Sequence, residues 1–197
     1  MADVKGDILA RMRDEVGTID KDAPESIALV YPSPYHVGMS SLGFQTIYRS
    51  INESKGRAAH RAFLPDDVDA ALQSRAPLLS YEGLRPVSDY PILAFSVAYE
   101  AELAGLIQTL DLAGVPAQTE ERGPRHPFIL AGGPLTFSNP LPLAPFVDAV
   151  LMGEADESVH TVLDVLFSAE SRESALRTLS EHPHVFVPSI HGDSLPP

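Results

Sequence analysis

Phe128-Ile129-Leu130-Ala131 running into Gly132-Gly133-Pro134, and Val147-Asp148-Ala149-Val150-Leu151-Met152 running into Gly153-Glu154, are the stretches on which the reading of this chain turns. A short apolar run bounded by glycine reads as a buried strand. Glycine at the exit lets the backbone turn sharply or approach a ligand with no side chain in the way. The ligand rim of an open α/β sheet is built in this manner. Two stretches upstream have the same texture: Ile27-Ala28-Leu29-Val30-Tyr31 runs into Pro32-Ser33-Pro34-Tyr35-His36-Val37-Gly38, and Ile92-Leu93-Ala94-Phe95-Ser96 runs into Val97-Ala98-Tyr99-Glu100. Four strands with polar or glycine-rich exits imply one shared pocket.

Outward from these runs the chain alternates strand and helix. Residues 8–16 form a charged, moderately amphipathic helix within an N-terminal arm, residues 1–24. Residues 40–52 read as a helix on which Leu42, Ile47 and Ile51 share a face, with Ser40 or Ser41 as cap. Residues 58–64 read as an edge-like strand, and Pro65-Asp66-Asp67 opens a helix through Arg75. Residues 78–91 carry little periodicity and read as an excursion near the ligand rim. The clearest helix covers 100–113, with Leu103, Leu106, Ile107 and Leu110 at helical spacing and Gly114 at its end. A last helix spans 155–168. These units predict an α/β domain over 25–187: a doubly wound, mainly parallel five-stranded sheet of the flavodoxin or Rossmann type with right-handed crossovers. Residues 188–197 read as a linker or a cut end.

Composition removes several classes of function. The 197 residues suffice for one buried core, and 44% hydrophobic with 21% charged residues is the balance of a folded protein. No apolar run approaches the roughly 20 residues that span a bilayer, and residues 1–14 are too charged for a secretory signal, so the expected location is cytoplasmic. With 14 Lys+Arg against 27 Asp+Glu the formal charge is -13, which repels a phosphate backbone. Neither nucleic acid nor membrane is an expected partner. The absence of cysteine removes disulfides, thiolate nucleophiles, zinc–thiolate sites and iron–sulfur ligation from this segment. The 18 prolines punctuate elements rather than forming a tract. There is no Gly-x-Ser-x-Gly elbow, no Gly-x-Gly-x-x-Gly and no phosphate-binding Lys loop.

Four phrases stand in order at the strand exits: Tyr35-His36-Val37-Gly38-Met39-Ser40-Ser41-Leu42-Gly43, then Phe95-Ser96-Val97-Ala98-Tyr99-Glu100, then Ala131-Gly132-Gly133-Pro134 with Asn139-Pro140, then Gly153-Glu154-Ala155-Asp156-Glu157. In this order they resemble the amino-terminal cobalamin-binding-type domain of a class of radical S-adenosylmethionine (radical SAM) proteins. The resemblance, which runs from about Ile27 to Ser189, implies a corrinoid held at the C-terminal rim of the sheet. Its implied contacts are Tyr35, His36, Gly38, Ser40, Ser96, Val97, Tyr99, Gly132, Gly133, Pro134, Gly153 and Glu154. It also implies a catalytic barrel in the same parent chain, carrying the iron–sulfur cluster on a Cys-x3-Cys-x2-Cys motif and using S-adenosylmethionine. The present chain ends before such a motif, as an excised or truncated accessory domain would.

Domains of this kind that donate a histidine to cobalt use Asp-x-His-x-x-Gly after the first strand. Here Pro34 replaces the Asp and Met39 the Gly around His36, so the carboxylate that would orient the imidazole is missing. No metal ligand and no catalytic residue is therefore assigned within the segment. Glu154, Asp156 and Glu157 also suit the start of a helix, where the dipole favours acids. A cofactor-free flavodoxin-like scaffold or protein-interaction domain is the alternative function.

Overall fold

The computed structural model describes residues 4–153 and 158–196, with the backbone of 155–157. The candidate Glu154 lies outside the described residues, as do the side chains of Asp156 and Glu157. The strands are β1 (Glu25–Pro34), β2 (Arg57–Leu64), β3 (Ile92–Ser96), β4 (Phe128–Gly132), β5 (Ala149–Leu151) and β6 (Val185–Phe186). They form one sheet in the order β2-β1-β3-β4-β5-β6, parallel throughout except for antiparallel β6 on β5. The expected α/β sheet is present, with one strand more than the five read from the sequence. β6 has two residues, too few to show a period.

Alternation along the strands sends side chains to both faces, and both are buried. Ile27, Leu29, Leu130 and Leu151 join one core with Phe44, Tyr48 and Ile51 of α3 (Leu42–Glu53) and with Val159, Val162 and Leu163 of α6 (Ala155–Ser168). Ala28, Val30, Leu93, Phe95, Ile129 and Val150 face the other core, against Leu106 and Leu110 of α5 (Glu102–Leu112). Ser41 caps α3, its hydroxyl accepting the Phe44 N–H at 3.3 Å. The buried stripe of α3 is Phe44, Tyr48 and Ile51. Leu42, read as part of the apolar face, is 80% exposed. Asp67 caps α4 (Val68–Ser74) by accepting the Ala70 N–H.

Two segments outside the sheet close its β2 side. Every residue of β2 is buried although it is the edge strand, because residues 78–91 run along its outer edge. The Tyr81 N–H donates to the Arg61 carbonyl at 2.7 Å, and the Arg61 N–H donates to the Glu82 carboxylate at 2.6 Å. An exposed row of unpaired strand amides is thereby covered. At the β1 exit the Tyr81 ring of this excursion stacks on Tyr35. The N-terminal helix α1 (Val4–Arg13) buries Ile8 in the α3 core. Among the described residues, no helix is long and apolar enough to cross a membrane.

Candidate functional site

In this strand order the chain reverses direction of travel across the sheet between β1 and β3. Open α/β sheets bind ligands outside the carboxyl ends of the strands at that switch point. A cavity of about 380 Å³ lies there, between the sheet and helices α3 and α6. Its walls are apolar, including Ile27, Leu29, Phe44, Leu130, Val159 and Leu163. Its mouth is lined by Ser41, Ser96, Gly132, Gly133, Pro134, Phe137 and Gly153. The structure thus brings together Ser96, Gly132, Gly133, Pro134 and Gly153 from three separate strand exits.

The local geometry explains the glycines differently. Gly133 has φ 109°, and a Cβ there would lie 2.7 Å from the Val97 carbonyl oxygen. It is glycine because two strand exits meet there. The Val97 N–H donates to the Gly132 carbonyl at 2.8 Å, and the Val97 carbonyl accepts the Leu135 N–H at 3.2 Å. Val97 is itself buried behind the turn. Gly153 has φ 80° and open space where a Cβ would stand, so backbone conformation alone favours glycine there. The half-buried Ser96 hydroxyl makes no hydrogen bond among the described residues.

The β1 exit is built otherwise. Tyr35 and His36 begin the single turn α2 (Tyr35–Gly38). The Tyr35 ring stacks on Tyr81 with centroids 5.3 Å apart and meets Phe63 edge-on, while its hydroxyl donates to Glu15 at 2.7 Å. A Cβ on Gly38 would fall 2.5 Å from the Phe63 ring. His36 and Ser40 are exposed; the Ser40 hydroxyl donates to the Val37 carbonyl, and His36 has no hydrogen bond or ion pair among the described residues. Tyr99, 56% exposed, stands beside the β3 exit. Tyr35, His36, Gly38, Ser40, Val97 and Tyr99 do not line the cavity.

Behind this exit lies a buried ionic network that the sequence reading missed. The Arg61 guanidinium donates to Glu82 at 2.6 Å and to Glu15 at 2.8 Å, and meets the Met39 sulfur at 3.1 Å. Its carbon also lies 4.7 Å from the Tyr48 ring centroid. Tyr48 donates to Glu82 at 2.9 Å. Burial disfavours the Arg61 charge, but Glu82 and Glu15 together raise its pKa. Burial likewise pushes the Tyr35 hydroxyl up, with Glu15 adding to the effect. The available signal was Arg61 set among Ala58, Ala59, Ala62, Phe63 and Leu64, where a buried arginine demands partners.

A larger cavity, about 450 Å³, lies between α1, α4 and the β2 exit. It is away from the switch point, so topology favours the smaller one as the site for the sheet's ligand. Among the described residues, no three His, Asp or Glu side chains converge as metal ligands.

Residues 43–188 match the family described as radical SAM proteins, N-terminal. The chain belongs to that family. No curated protein and no solved structure matches it significantly. The match runs from the second residue of α3 to Pro188, and so includes the whole cavity lining except Ile27, Leu29 and Ser41.

Proposed function

We propose that this chain is the corrinoid-holding module of a radical SAM protein, working beside a separate catalytic domain. The observation that carries the reading is the apolar cavity opening at the switch-point rim, with Ser96, Gly132, Gly133, Pro134 and Gly153 around its mouth. A corrin is a broad, flat, partly apolar body edged with amide arms. Apolar walls at a rim of small residues suit its body, and the Ser96 hydroxyl, without a hydrogen bond among the described residues, suits an amide arm. When bound, a corrinoid supplies a cobalt centre for methyl transfer or other radical chemistry. The chain's own residues seat it and exclude water from its covered face. With no cysteine in the sequence, iron–sulfur ligation falls to the catalytic domain. His36 is exposed and has no carboxylate partner among the described residues, so in this reading it does not ligate cobalt.

Incubation with hydroxocobalamin, desalting and an ultraviolet-visible spectrum test the proposal. Retained corrin absorbance that Ser96→Leu abolishes, with the far-ultraviolet signal of the variant unchanged, supports it. A clean protein spectrum supports the cofactor-free scaffold instead.

A further inference from the structure

The larger cavity shares no lining residue with the rim cavity. Its walls are Phe63, Leu64, Leu78, Leu79, Tyr81 and Leu112, with Ala71 and the more exposed Ala70 of α4 also lining it. A volume of about 450 Å³ with apolar walls and a few polar groups is the ordinary form of a small-molecule site.

The polar groups fix the sign of the ligand. Asp7, Arg11, Asp66 and Asp67 line the cavity. Arg11 is already engaged, donating to Asp66 at 2.6 Å and to the Tyr81 hydroxyl at 3.1 Å. Asp67 accepts the Ala70 N–H, and the exposed Asp7 carboxylate has no partner among the described residues. Three carboxylates against one occupied guanidinium leave a negative mouth on a chain of net charge -13. An anion would have to displace Asp66 from Arg11 beside two further carboxylates. A cation needs to displace nothing.

We infer that this cavity is a second binding site, for a compact apolar molecule bearing one ammonium group that meets the Asp7 carboxylate. The inference does not rest on the corrinoid reading. Three probes of one shape and different charge test it by calorimetry on the full chain at pH 7 and low salt: adamantylamine, adamantanol and adamantanecarboxylate. The ammonium should bind about tenfold tighter than the alcohol, the gain of one charge-assisted contact, and the carboxylate weaker than both. Asp7→Asn should narrow the gap between ammonium and alcohol while leaving alcohol affinity unchanged. Ala71→Leu, which fills the cavity, should remove binding of all three. Ala70→Leu, on the exposed side of α4, is the second blocking variant should Ala71→Leu lose its fold. Equal or tighter binding of the alcohol or carboxylate overturns the inference. So does the absence of binding by all three, or undiminished binding in a folded blocking variant.

Discussion

The β1 exit and the β4 and β5 exits end the same sheet at the same rim, but the protein fills the first and leaves the second open. At β1, Tyr35, Phe63 and Tyr81 pack ring on ring, and Arg61 joins the N-terminal segment, the edge excursion, α3 and the exit turn through Glu15, Glu82, Tyr48 and Met39. At β4 and β5 the chain turns on Gly133 and Gly153 above an apolar cavity. The contrast separates two reasons for a motif at a strand end. Tyr35 and Gly38 are accounted for by internal packing, whereas Ser96 and Gly153 face space the protein does not use.

The largest expected effect breaks the filled side. Glu82 and Glu15 have side chains 1% and 9% exposed, so Arg61→Leu leaves two carboxylates without their cation. The loss should be about 3–5 kcal/mol, the usual cost of breaking a buried pair from one end. Urea unfolding measures it. A loss under about 1 kcal/mol would show that the network relaxes and that the β1 exit is not braced by it.

Next in size is a pair of alanines on the open side. Gly133→Ala combines a positive φ with a collision against the Val97 carbonyl, and should cost about 2–3 kcal/mol. Gly153→Ala meets only the backbone strain, about 1 kcal/mol. Equal losses in urea unfolding would mean that the contact between the β3 and β4 exits is not what requires glycine at Gly133.

The apolar runs that stop at Gly132 and Gly153 placed β4 and β5 in advance, because buried parallel strands and sharp exits both restrict residue type locally. The cavity's lower walls were not legible. Phe44 and Leu163 meet only when α3 and α6 pack on one face, and that pairing leaves no mark on either helix alone. Leu42 was misplaced for the same reason, since helical spacing permits a stripe but the neighbouring helix selects it. The Arg61 network was hidden by distance, its partners Glu15 and Glu82 lying in the N-terminal arm and in the 78–91 excursion, far from β2 in sequence.

A smaller effect titrates the N-terminal segment's hold on the β1 exit. Burial alone would raise the Glu15 pKa, but hydrogen bonds from Arg61, Tyr35 and Thr18 and the Arg61 charge hold the carboxyl below its ordinary value. A carboxyl depressed by folding stabilises above the ordinary carboxylate range, and that contribution is lost as pH falls through the lowered value. Glu15→Gln should therefore cost about 1–2 kcal/mol at pH 7. The gap from the wild type should close as pH falls below about 4. Urea midpoints from pH 7 to 3 check this, and a gap independent of pH would assign the loss to shape rather than charge.

The smallest expected effect lies at His36, the one imidazole on the β1 exit turn. It is exposed and has no hydrogen bond or ion pair among the described residues, so His36→Ala should change stability by less than about 0.5 kcal/mol. The same variant sharpens the comparison between the two sides of the rim. If the open side alone seats the corrinoid, no cobalt–nitrogen bond is lost on substitution, and the visible spectrum of the bound cofactor should match that of the wild type. A histidine reaching cobalt would instead be replaced by a weaker donor, and the cobalt bands would move to those of a base-off form. Such a shift, with the far-ultraviolet signal preserved, would make the β1 exit part of the site, and the carboxylate missing at Pro34 would not have prevented ligation.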